Sequence, residues 1–431
     1  MGGTHSKSRR RALAGAAGLA TIALAVAACA SSSTSATSTA TSSTASGSAA
    51  STASSAAGSG TAGTPVKVGM VYEKTGIYSA YAQEYQQGFT IGLDYATGGT
   101  GAVDGHPVDV TWDDDADSAT TAVTDFKSLV GAGYKIIAGT ADSGIATELA
   151  PLAAQNQVLY ISGPAAADQL TGINKYTFRS GRQTYQDVMT AKSFVAGSGS
   201  GQKIVVLAQD YAFGQSYVTD AQKVFGAIGD KVEPVLVPLT TTDFTPTALQ
   251  VKAMHPSLIF LAWAGTTGAA LAQALDQQGV FSDAKVVTGL ANIATYPFYG
   301  AAGAKFDYLS LYFYQGSHNV ANDYLISQMK AKYNAVPDLF APDGFVAAEM
   351  VAHAIAAGGG TNVNAMISAL SGWSFLAPKG MQQIRASDHA MLQPMYQAKL
   401  TEVSSTDFTP SLITTLSNAD TAPAVAANFG S

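Results

Sequence analysis

From Pro65 onward the chain alternates short apolar runs with longer amphipathic ones. Residues 66–71 (VKVGMV) have the pattern of a buried strand. After Gly76, the residues Tyr81, Tyr85, Phe89 and Leu93 fall on one helical face that Gly98 and Gly99 close. The next strand is predicted over 107–112 and runs into Asp113, Asp114 and Asp115. Val123, Phe126 and Val130 mark a helix face, 134–138 a strand, and a helix from about Ser143 leads to a strand at 157–162. A second run of the same texture begins near Thr184, with strands predicted at 203–208, 232–239, 258–263, 284–288 and 306–313 and helices around 217–225 and 269–278. Helices over 323–333 and 344–357 and strands at 381–385 and 395–400 close the pattern. This alternation predicts an α/β fold of two doubly wound parallel-sheet lobes. Expected crossings near Thr184, Tyr314 and Gln393 make a three-crossover hinge. Lobe one is then 65–184 plus 315–393, lobe two is 185–314 plus 394–420, and 421–431 is a loose tail.

Before Pro65 the pattern is different. Lys7, Arg9, Arg10 and Arg11 precede an uncharged Ala/Leu/Gly run that ends at Cys29, the one cysteine of the chain. The run is short for a membrane span and suits a signal peptide over 1–28. Val26-Ala27-Ala28-Cys29 resembles a bacterial lipoprotein cleavage box, so Cys29 is the expected lipidation site. The arginine cluster also partly resembles a twin-arginine export signal, without the aromatic residue usual after it. Residues 29–64 are nearly all Ser, Thr, Ala and Gly, a composition that cannot bury enough apolar surface to offset chain entropy. This segment is expected to be a disordered tether of roughly 30 Å between membrane and domain.

Charge narrows the function. Only 12% of residues are charged, and setting aside the four N-terminal cations leaves 19 basic against 30 acidic residues, a net charge of −11. Nucleic acid is not an expected partner, and an anionic membrane would repel such a domain unless it were anchored. G-x-x-x-x-G-K-[ST] does not occur, nor does G-x-S-x-G, and His106, His255, His318, His353 and His389 lack metal-ligand spacing. Asp113, Asp115 and Asp117 alternate as calcium ligands do, but Thr124 stands where a twelfth-position Glu belongs. The expectation is a solvated loop with no metal, no cofactor and no enzymatic activity.

Several marks in order carry a resemblance. They are Thr75-Gly76 followed by Tyr81, Trp112-Asp113-Asp114, 139–144 (GTADSG), 161–166 (ISGPAA), 176–179 (YTFR), 210–214 (DYAFG) and 384–389 (IRASDH). Over about 66–400 the chain resembles the type I periplasmic binding proteins of the leucine/isoleucine/valine-binding family. The resemblance implies the extracytoplasmic solute-binding component of an ABC transporter, a monomer anchored to the cell membrane at Cys29. It would close on a small molecule by hinge motion and deliver it to permease and ATPase subunits. A sensor feeding a membrane receptor is the alternative on the same fold.

Ligands of open α/β sheets bind outside the carboxyl ends of the strands, where Tyr78, Tyr81, Ser143, Gly144, Ala165 and Ala166 fall. Ser143 opens a helix, whose free N–H groups favour an anion, and the resemblance gives the matching serine a ligand carboxylate. It likewise makes Tyr81 the aromatic neighbour of the ligand, and Trp263 ends a strand from which it could close over it. Three departures stand out: Ala166 replaces a threonine, Phe213 a tyrosine, and Leu290 the acid that meets a ligand ammonium. The ligand expected is therefore a small carboxylate or aromatic acid without a free amine. Asp210, Asp187 or Gln183 remain as other acceptors, which would restore an amino acid.

Overall fold

The computed structural model describes residues 63–404, 407–426 and 429. The proposed signal peptide, Cys29 and nearly all of the Ser/Thr/Ala/Gly segment lie outside the described residues. The first sheet is built from β1 (Val66–Tyr72), β2 (Ala102–Val103), β3 (His106–Asp114), β4 (Ile136–Gly139), β5 (Leu159–Ser162) and β6 (Thr177–Arg179), in the order β2-β3-β1-β4-β5-β6. All pairs except β2–β3 are parallel. The central strands β4 and β5 are buried along their whole length, as a parallel sheet covered on both faces requires. Helices Ser79–Ala96 and Ala341–Gly358 cover one face, and helices Ala119–Gly131 and Ser143–Asn156 the other.

Helix Ala341–Gly358 is apolar nearly all round, and of its fourteen buried residues only Asp343 and Glu349 carry a charged group into the core. Its contact with helix Ser79–Ala96 is unusually close because glycines line it. A Cβ built on Gly344 would lie 2.0 Å from the carbonyl oxygen of Tyr85, and one on Gly88 would lie 1.8 Å from that of Ala341.

After Arg179 the chain enters a second sheet: β7 (Lys203–Gln209), β8 (Lys231–Val237), β9 (Leu258–Ala262), β10 (Lys285–Gly289) and β11 (Asp307–Ser310), all parallel. It then leaves, forms helices Val320–Tyr333 and Ala341–Gly358, and makes a small antiparallel sheet of β12 (Ser374–Ala377), β13 (Gly380–Ile384) and β14 (Met391–Leu392). It returns as the hairpin β15 (Met395–Ser404) and β16 (Asp407–Leu416), which extends the second sheet in the order β16-β15-β11-β10-β9-β7-β8.

Three features differ from the sequence expectation. The strand predicted over 306–313 pairs only at Asp307–Ser310, because Leu311 and Tyr312 turn away to pack with Leu339, Phe340 and Met395. The edge strand β16 is mostly exposed and contains Pro410, so it shows no apolar alternation to read. The segment expected to be a loose tail is held down where it is described. Thr421 is buried, Arg385 donates to the Pro423 carbonyl at 2.7 Å, and the Ala426 N–H donates to Asp388 at 2.9 Å.

Candidate functional site

The two parallel sheets present the carboxyl ends of their strands to a shared cleft, which holds a cavity of about 780 Å³ including its open mouth. From the first sheet, Tyr78 and Tyr81 follow β1, Ala141 follows β4, Pro164 and Ala166 follow β5, and Arg182 follows β6. From the second, Tyr211, Phe213 and Tyr217 follow β7, Trp263 follows β9, and Leu290 follows β10, with Thr288 and Tyr299 beside it. Phe340 closes the side that faces the helix Ala341–Gly358. The aromatic rings form one wall: Tyr78 stacks against both Tyr81 and Tyr211, at centroid distances of 6.0 and 6.4 Å, and Tyr81 meets Phe340 edge-on at 4.6 Å. Burial pushes the hydroxyls of Tyr81 and Tyr299 up to about 12, so both stay neutral near pH 7 and can donate hydrogen bonds.

Of the residues expected at the site, Tyr78, Tyr81, Ala166, Phe213, Trp263 and Leu290 line this cavity. Ser143, Gly144 and Ala165 do not. Ser143 is fully buried, and its Oγ accepts the N–H groups of Ala166 and Ala167 at 3.1 and 3.2 Å. Its hydroxyl thus fixes the loop after β5 from beneath and engages the Ala166 N–H. The helix that Ser143 opens is capped by the chain's own carboxylate, since Asp142 accepts the Ile145 N–H at 2.9 Å. Ala165 is buried behind that loop, its carbonyl accepting from Arg179 at 2.8 Å.

Sequence reasoning missed Tyr211, Tyr217, Tyr299, Phe340 and, above all, Arg182. It is the one charged side chain lining the cavity, and no carboxylate lines it. Its Nε pairs with Asp187 at 3.0 Å, its Nη1 donates to the Pro164 carbonyl at 3.0 Å, and Phe340 lies under the guanidinium at 5.9 Å. Burial opposes the charge, but Asp187 more than offsets it and holds the guanidinium protonated above its ordinary range. None of the other acceptors considered for a ligand ammonium lines the cavity. Asp187 lies beneath Arg182 and accepts the Tyr217 hydroxyl, Gln183 accepts from Thr171 at 2.8 Å, and Asp210 accepts from Gln215 at 3.0 Å. Leu290, which stands where the resemblance places an acid, is 3% exposed.

Contacts across the cleft mouth hold the two halves together. The Gly265 N–H donates to the Tyr81 hydroxyl at 2.9 Å and the Thr266 N–H to the Ile77 carbonyl at 3.2 Å. On the other flank, Asn292 donates to Glu84 and the Ile293 N–H donates to Asp338 at 2.9 Å. Burial pushes the Asp338 carboxyl up to about 6, against the pull of the N–H groups of Ile293 and Leu339. Burial, then repulsion from Asp338, also raises Glu84. A carboxyl raised in the folded state adds stability that is complete below its ordinary value near 4 and is lost as pH rises through its folded value. The unfolding temperature is therefore expected to fall between about pH 4 and 6 as Asp338 loses this contribution, and Asp338→Asn to lessen that decline in a melting series across the same range.

Residues 65–406 match the family model for periplasmic binding proteins, and the chain belongs to this family. It is similar to a protein of known structure described as an ABC-type branched-chain amino acid transporter from Rhodopseudomonas palustris CGA009. The two are 30% identical, the match covers 85% of this chain and 100% of that one, and the TM-score is 0.69. It also shares its fold with the solute-binding protein of an ABC transporter from Rhodopseudomonas palustris HaA2, solved with p-hydroxybenzoic acid. There the identity is 22%, the coverage 82% and 97%, and the TM-score 0.75. Among curated proteins, Leu/Ile/Val-binding protein BraC3 of Rhizobium johnstonii is 24% identical over 219 residues, half of this chain and 59% of that one. No helix among the described residues is long and apolar enough to cross a membrane.

Proposed function

We propose that this chain is the extracytoplasmic solute-binding component of an ABC transporter and that its solute is an amine-free organic carboxylate, an aromatic acid in the first instance. The observation that carries the reading is the composition of the cavity wall: one arginine, several tyrosines and apolar rings, and no carboxylate. A guanidinium held by Asp187 offers a fixed partner for an anion, and flat aromatic walls suit a flat ring. An ammonium placed in the same cavity would be desolvated beside a cation with no acid to meet it, at a cost of several kcal/mol. The similar proteins named above span both chemistries, branched-chain amino acids and hydroxybenzoate, so the cavity lining is what favours the acid. Closure would follow from contacts a bound solute makes with both halves of the cleft. Delivery to permease and ATPase subunits, and attachment to the membrane through Cys29, complete the reading.

A thermal-shift panel tests it. Benzoate, hydroxybenzoates and short aliphatic acids are compared with leucine, valine and phenylalanine. A solute at a hundredfold its Kd adds about 2.7 kcal/mol of stability. The reading expects the largest shift from an amine-free acid. Shifts confined to amino acids would remove it.

A further inference from the structure

Three carboxylates outside the cleft remain unexplained. Glu73 follows β1, and Asp115 and Asp117 follow β3, so the first sheet brings the ends of two neighbouring strands together there. One ligand oxygen from each lies within 4.8 Å of the other two. Glu73 is 1% exposed and Asp115 fully buried, while Asp117 is half-buried and leaves a way in. Sequence spacing did not reveal this group, because Glu73 stands far from the other two along the chain and Asp113 takes no part.

Each carboxylate is anchored through one oxygen and keeps the other unpartnered. Glu73 Oε1 accepts from the Thr140 hydroxyl and from the N–H groups of Ala141 and Asp142 at 2.7 and 2.8 Å, while Oε2 has no partner. Asp115 Oδ1 accepts the Asp117 N–H at 2.9 Å, while Oδ2 has none. Asp117 Oδ2 accepts the Ile77 N–H, while Oδ1 has none. None of the three is in an ion pair among the described residues. Buried carboxylate oxygens are ordinarily satisfied, and a like-charged trio held this way by backbone N–H groups matches the donor set of a hard cation. Gly76 is shaped to the same site: at φ +111° it passes over Asp117, and a Cβ there would lie 1.9 Å from the carboxylate.

We propose that Glu73, Asp115 and Asp117 form a divalent-cation site, suited to Ca²⁺, that fixes the loop carrying Ile77 and Tyr78 at the cleft mouth. All three donors are carboxylate oxygens of the protein, which suits Ca²⁺ with its flexible cage of protein oxygens better than Mg²⁺, which keeps several of its waters. The link to the cleft is short. Asp117 holds the Ile77 N–H, the Ile77 carbonyl holds Thr266 of the opposite half, and Tyr78 lines the cavity. Burial, with smaller repulsion from neighbouring carboxylates, pushes Glu73 up to about 7, Asp115 to about 8 and Asp117 to about 6.

The test uses the full chain freed of metals with chelator. Terbium is added as a Ca²⁺ probe and excited through nearby aromatic rings, of which Tyr72 and Trp112 lie 5.0 Å apart on the adjacent strands. The expected result is sensitised emission saturating at one ion per chain, displaced by CaCl₂. An unfolding temperature raised by about 3 °C or more in 1 mM CaCl₂ is expected with it. Glu73→Gln and Asp117→Asn should each abolish both signals. Wild-type chain with no saturable emission and no Ca²⁺ shift overturns the site, as do folded variants that keep both signals. The wild-type titration decides the matter even if a variant does not fold, and it is independent of which solute the cleft takes.

Discussion

Replacing Arg182 with Gln is expected to weaken binding of an aromatic acid by about 100-fold or more, roughly 3 kcal/mol, in isothermal titration. The guanidinium is the only charge lining the cavity, so no neighbour can take over its role. Arg182→Lys should recover only part of the loss, because a single ammonium cannot serve Asp187, the Pro164 carbonyl and the solute from one position. A melting curve of the Gln variant separates the two consequences, since Asp187 loses its cation whether or not solute is present. An affinity unchanged in a stably folded Gln variant would place the solute anion elsewhere in the cleft.

Gly344→Val is expected to destabilise the first half of the fold severely. Even the first carbon of the new side chain would meet the Tyr85 carbonyl oxygen at 2.0 Å, and that atom belongs to helix backbone that cannot rotate aside. The helix pair must separate, which opens the core around Phe89, Val346 and Met350. Overpacking of this kind costs about 3 kcal/mol, a fall in unfolding temperature of about 6–12 °C. A melting temperature within 2 °C of wild type would show that the two helices can slide without loss.

The fold was largely legible because its signals are periodic and local. Apolar strands such as 66–71 and 258–263 and the Tyr81–Tyr85–Phe89–Leu93 helix face each announce their own element. The site was legible only where it follows from strand ends. Tyr78, Tyr81, Ala166, Trp263 and Leu290 lie just past strands whose ends the pattern marks, and all of them line the cavity. Ser143 satisfies the same rule and yet sits beneath the loop, because rank along the chain does not say which side of a turn a hydroxyl takes. Arg182 escaped notice because β6 has only three residues and gives no strand signal from which to locate its end. Its signal was present all the same: an arginine five residues before an aspartate, just after 176–179, in a chain with few charges. The Glu73 group was invisible for another reason, since its members meet only through parallel pairing of β1 with β3.

The most direct test of the cavity's chemistry compares a matched pair, 3-phenylpropanoate and phenylalanine, which differ only by the ammonium. Isothermal titration of the wild-type chain with each should show the acid binding at least 100-fold more tightly. Phenylalanine binding as tightly as 3-phenylpropanoate, or more so, would mean that an acceptor for the ammonium does reach the cleft, and the reading built on Arg182 and Leu290 would be wrong.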